Sequence, residues 1–165
     1  MFCMLQPSRV CASCHKEKPL NFFETNINKA GKISRSRKCR QCRAMSRNKS
    51  RASEPAKYLK LIFSQLKYSR KKDNPELPWE IEKEDLLALW DEQNGKCAIS
   101  GILMTTAKDG SGKKEFNASL DRINPDFGYN KENIQLVCHR VNIMKHTMSA
   151  DMLLWWCKNI VLNNP

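Results

Sequence analysis

The sequence predicts an α+β fold: a small core of two short strands with helices on its flanks, preceded by a cysteine-bounded N-terminal module. Three observations carry that prediction. Two Cys-x2-Cys pairs, Cys11–Cys14 and Cys39–Cys42, stand near the start. Two short runs, Phe116 to Ile123 and Ile134 to Cys138, read as strands on either side of a turn-rich stretch, Asn124 to Asn130. Apolar residues recur at helical spacing before and after those runs. With 165 residues and 41% hydrophobic content, the chain has room for one ordinary domain, or a small one with an accessory module, and material for a real core. The expected division is 1–45 as the cysteine module, 46–74 as a basic helical connector and 75–165 as the C-terminal unit, with no internal repeat.

Taken in order, the gap of 24 residues between the two cysteine pairs calls for a hairpin or loop between them. In the connector, Glu54-Pro55 can open a helix because proline is tolerated in the first turn. Tyr58, Leu59, Ile62, Phe63 and Leu66 then form one face, with Lys57, Lys60, Lys67 and Arg70 elsewhere around the wheel, and Asp73-Asn74-Pro75 closes it. A second helix is expected from Lys83 to Gln93, with Leu86, Leu87, Leu89 and Trp90 inward and Asn94-Gly95 as its stop. A loop-rich segment containing Gly101, Gly110 and Gly112 leads to the two strands. Helices follow at His139 to about Lys145 and at Ala150 to Leu162, where Met152, Leu153, Trp155, Trp156 and Ile160 are expected in the core rather than as a base-stacking platform.

The formal net charge is +12, and its distribution says more than its total. From Lys32 to Lys72 there are 15 Lys or Arg against Glu54 alone, whereas residues 73–165 hold 10 basic and 14 acidic groups. One contiguous basic arm, held by patterned sequence at both ends, points to phosphate contact; a solvated charge run is the plain alternative. No run of about 18 apolar residues offers a membrane span, and Met1 to Val10 is too short and mixed for a secretory signal. The expectation is therefore a cytoplasmic protein, not secreted, whose eight cysteines serve thiolate chemistry rather than a disulfide framework.

Each Cys-x2-Cys pair can present two thiolates from a tight turn, and Cys11, Cys14, Cys39 and Cys42 together complete a tetrahedral zinc site. Four cysteine ligands leave no open position, so the Zn2+ is expected to be structural. Arg35, Arg37, Lys38, Arg40, Arg43 and Arg47 surround the second pair and are the expected DNA-binding side chains. His15 is not needed as a ligand. Cys3 and Cys157 have no assigned role.

The sharpest pattern lies between Gly95 and His146: Ser119-Leu-Asp121-Arg122-Ile123, Gly128-Tyr129, Glu132-Asn133-Ile134, and Leu136-Val-Cys138-His-Arg-Val-Asn142-Ile-Met-Lys145. At these residues the chain resembles the HNH, or ββα-metal, endonuclease family, above all its small phage and bacterial homing-type members; the resemblance spans roughly Leu86 to Met148. It implies a small ββα-metal core. It further implies that Asp121 on the first strand and Asn142 on the helix hold Mg2+ or another divalent ion, a hard ion that prefers oxygen ligands, and that Asn133 buttresses the loop without touching the metal. The implied partner is double-stranded DNA in a bacterial or phage-infected cell. Arg140 and Lys145 are expected to add phosphate contacts near that site.

Two departures from the family pattern matter. Arg122 stands where the family usually has a general-base histidine, and an arginine can clamp phosphate but cannot deprotonate water at neutral pH. Tyr129, His146 and, behind them, His139 are the candidates for that role, with Tyr129 also a candidate nucleophile. Many relatives bind a second zinc through two further Cys-x2-Cys pairs, of which Cys97 and Cys138 remain here while Ser100 and Val141 replace their partners, so that zinc is expected to be lost. Homing, restriction and junction-resolving endonucleases all remain open, as do a homodimer and an RNA substrate. A zinc-containing DNA-binding protein without catalysis is the reading from a different class.

Overall fold

The computed structural model describes residues 7–107 and 115–164; Cys3, Gly110 and Gly112 lie outside them. Among the described residues the fold is α+β, with five α-helices and three two-stranded antiparallel sheets. It forms two compact units divided between Ser50 and Arg51.

In the first unit, β1 (Ser8–Val10) pairs with β2 (Glu17–Pro19) around the first cysteine pair, and β3 (Thr25–Ile27) pairs with β4 (Ile33–Arg35) between the two pairs. Helix α1 (Arg40–Ser53) begins at the second pair. Among the described residues, only Cys11, Phe23 and Cys39 form a buried cluster here, with Cys14 and Cys42 packed against it. Burial of one phenylalanine cannot offset the ordering of so many residues.

The second unit opens on α2 (Pro55–Asp73), with Pro55 in its first turn, and α3 (Lys83–Glu92). A capping box starts α3: the Glu82 side chain accepts from the Asp85 backbone N–H, and Asp85 Oδ2 accepts from the Glu82 N–H at 2.8 Å. Asn94 and Gly95 both take positive φ at its end. The first strand is shorter than the sequence suggests. β5 (Ala118–Arg122) pairs with β6 (Ile134–Cys138) in the register Ala118 to Cys138 through Arg122 to Ile134, while Phe116 and Ile123 are exposed at its ends. Gln93 satisfies β6 on its outer side, donating to the Leu136 carbonyl at 2.8 Å and accepting from its N–H at 2.9 Å.

The core of this unit joins Tyr58, Leu59 and Phe63 of α2 to Leu86 of α3 and to Leu120, Ile134, Leu136 and Val137 of the sheet. Strand β6 runs directly into α4 (His139–Lys145), and α5 (Ala150–Leu162) follows, with Ser149 Oγ accepting from the Met152 N–H. The expected burial of α5 fails. Leu153 alone is buried, and Met152, Trp155, Trp156 and Ile160 are 48–58% exposed. The helix is apolar nearly all round, so most of its surface has no covering element among the described residues. No helix among the described residues is long and apolar enough to cross a membrane.

Candidate functional site

In the first unit, the Sγ atoms of Cys11, Cys14, Cys39 and Cys42 all lie within 4.8 Å of one another. Four thiolates around one zinc ion, at about 2.3 Å each, would stand roughly 3.8 Å apart, so the cluster fits such an ion. Hairpin backbone and helix start bring them together. The Cys11 sulfur accepts from the Cys39 N–H at 3.2 Å and the Ser13 N–H at 3.4 Å, and the Lys18 ammonium lies 3.8 Å from the Cys39 sulfur. Backbone donors, that of Cys39 foremost, pull the Cys11 thiol down to about 5, and the Cys42 N–H lowers Cys39. The hydrogen bond with Cys39 pushes Cys42 up to about 11. A dication would remove that asymmetry by holding all four as thiolates.

Around the cluster, Arg35, Arg37, Lys38, Arg40 and Arg47 are exposed. Arg35 donates to the Leu20 carbonyl at 3.1 Å, and Arg43 and Arg47 share Glu24 at 3.2 and 3.3 Å. Arg40, Arg43 and Arg47 sit on one face of α1, at successive spacings of three and four residues.

In the second unit, α4 lies against β5. His139 and Asn142, three residues apart, share a face of α4, and His146, just past its end, lines the same cleft. Asn142 Nδ2 donates to Ser119 Oγ at 2.8 Å and to the Leu120 carbonyl at 3.1 Å, which pins the helix beside Asp121. An open cleft of about 610 Å³ runs along this face, lined by Ser119 and Arg122 of β5, by His139, Asn142 and His146, and across from them by Ser69 and Arg70 of α2. His146 holds φ +49° at the end of α4, a strained conformation for a residue with a Cβ.

Asp121 is 6% exposed and does not line the cleft. Its Oδ1 takes the Lys145 ammonium at 3.2 Å and its Oδ2 the Gln135 amide at 2.9 Å. Lys145 is thereby corrected from a phosphate contact to an internal counter-charge. It is 1% exposed and also donates to the Arg122 carbonyl at 2.8 Å. Arg140 forms a two-pronged ion pair with Glu115, which takes up the charge expected to face phosphate.

No family model and no curated protein matches this chain.

The remaining site residues support the loop between the strands. Asn133, 8% exposed, accepts from the Asn124 N–H at 2.8 Å and donates to the Asn124 and Gly128 carbonyls at 3.0 and 2.9 Å. Tyr129 is 3% exposed, packs on Trp79 with ring centroids 4.6 Å apart, and does not line the cleft. Its buried ring suits it to holding Arg122, whose guanidinium sits 5.4 Å over it and donates to the Phe127 carbonyl at 2.8 Å. Cys97 and Cys138 are each 2% exposed; Ser100 lowers the Cys97 thiol against the opposing effect of burial, and burial pushes Cys138 up to about 11. Sequence reasoning missed Ser69 and Arg70 as lining residues, because only the packing of α2 against β5 places them there.

Proposed function

We propose that the protein is a metal-dependent DNA endonuclease of the HNH, ββα-metal type, of the homing kind in the first instance. The observation that carries this reading is the amide of Asn142 bonded to Ser119 and Leu120, which fixes an amide side chain of α4 against the two β5 residues that precede Asp121, in a cleft that Arg122, His139 and His146 also line. The resemblance to that family supplies the rest.

Asp121 and the Asn142 Oδ1 atom are the oxygen donors that would hold the ion. Each Asp121 oxygen accepts one hydrogen bond and keeps a second lone-pair direction, so the donor set fits a hard divalent ion. A bound ion would stabilise charge on the scissile phosphate and the departing oxygen. Lys145 weakens the hold of these groups on a cation, which makes metal affinity depend on the phosphate of the substrate. Arg122, fixed over Tyr129, clamps a phosphate oxygen. A ring nitrogen of His146 or His139 takes the proton from the attacking water. Exposed Arg37, Lys38 and Arg40 contact the duplex backbone beside a structural zinc.

The buried Asp121–Lys145 pair favours a second reading, a zinc-containing DNA-binding protein without catalysis, since the carboxylate is already neutralised. Supercoiled plasmid separates the two. After dialysis that removes weakly held ions and leaves zinc in place, nicked or linear DNA should form only when Mg2+ is restored. Plasmid that is bound but intact across several divalent ions supports the non-catalytic reading.

A further inference from the structure

We infer that the cleft between α2 and α4 receives the phosphodiester backbone of DNA, with Arg70 as its phosphate-binding residue. The lining carries two arginines and two histidines, Arg70, Arg122, His139 and His146, and no carboxylate. Such a wall selects an anion. Arg70 contributes the sharper observation: its Nε is the one buried side-chain nitrogen or oxygen without a hydrogen-bond partner among the described residues. A guanidinium does not shed its proton, so a desolvated N–H on it is costly until an acceptor arrives. Phosphate oxygens match its planar fork. The same face of α2 places Leu66 and Ile62 one and two turns before Arg70, and Ile143 of α4 lines the same cleft, which gives the sugar and base an apolar surface beside the charged end.

This inference rests on the nucleic-acid reading above and names the wall that holds the substrate, but it is tested by binding and not by cleavage. The zinc-loaded full chain, without Mg2+, is titrated into a short fluorescein-labelled DNA duplex, and anisotropy is followed across a series of salt concentrations. Arg70→Gln should weaken binding about threefold to tenfold and reduce the slope of log affinity against log salt by about 0.9, the signature of one lost phosphate contact. Arg70→Lys should keep the slope and recover only part of the affinity, because the charge remains and the fork does not. Tryptophan fluorescence verifies that each variant is folded, and if Arg70→Gln is not, the Arg70→Lys affinity decides. Wild-type affinity and slope in the folded Gln variant, or wild-type affinity in the Lys variant when Gln does not fold, overturn the inference. An unchanged slope would leave the nuclease reading standing, and an uncut plasmid would leave this one standing.

Discussion

Replacing Lys145 with methionine should destabilise the second unit severely. The Lys145 side chain is 1% exposed and that of Asp121 6%, so neither charge can turn to solvent in place. Removing the ammonium leaves the carboxylate with Gln135 as its one remaining donor, and leaves the Arg122 carbonyl without the 2.8 Å bond it now accepts. Breaking a buried pair in this way costs about 3–5 kcal/mol. That is a large share of the roughly 5–15 kcal/mol that holds an ordinary domain. All four tryptophans lie beyond Ser50, so tryptophan fluorescence in urea follows this unit alone. With a urea dependence of about 2 kcal/mol per molar, the midpoint should fall by roughly 1.5–2.5 M. Adding Asp121→Leu to Lys145→Met should recover part of the loss, since an apolar pair leaves no buried charge. A single-variant cost below about 1 kcal/mol, the value of an exposed pair, would refute the reasoning.

Three further outcomes follow from the same geometry. Asn133→Ala removes three hydrogen bonds from the loop between β5 and β6 and should cost about 2–4 kcal/mol; faster amide exchange at Asn124 is the local readout, and unchanged protection there would count against the buttress. Gly128→Ala would set a Cβ 2.5 Å from the Pro78 carbonyl oxygen, so the melting temperature should drop by the equivalent of about 1–3 kcal/mol; a wild-type melt would mean the Pro78 segment yields freely. Elemental analysis should find one zinc per chain, lost in Cys39→Ser and kept in Cys97→Ser. Two equivalents, or loss in Cys97→Ser, would restore a second site.

Much of the second unit was legible because its elements end on strong local signals. Pro55 opens α2, Asn94-Gly95 follows α3, and the short, mainly apolar run from Ile134 to Cys138 marks β6. Helix α1 was not legible. Its sequence, Arg-Gln-Cys-Arg-Ala-Met-Ser-Arg and onward, is dominated by polar and basic residues and has no fully buried side chain, and its first turn is seeded by the second cysteine pair, where the Arg43 N–H bonds the Cys39 carbonyl at 3.0 Å. The exposure of α5 could not be read either, since a helix apolar on every side does not say which side is covered. At the site, the helix expected from His139 to about Lys145 placed Asn142 on the element that packs against β5. The burial of Lys145 was hidden because a lysine in a last helical turn ordinarily extends into water, and only the β5 carboxylate draws it inward. Arg70 was legible as one of the basic residues of α2 on a side expected to face phosphate, but its place in the cleft was not, because sequence does not say that α2 lies beside β5.

The central claim turns on Asn142, which is half-buried, lines the cleft and carries no charge whose removal would strand a partner ion. The decisive measurement is single-turnover cleavage of supercoiled plasmid by wild type and Asn142→Ala at matched folding and matched DNA binding, with Mg2+ present and absent. The account predicts cleavage by the wild type that requires Mg2+ and falls by about a hundredfold or more in the variant, the scale of losing a group that holds a catalytic ion. Equal cleavage by both proteins, or none by either while DNA remains bound, would contradict it.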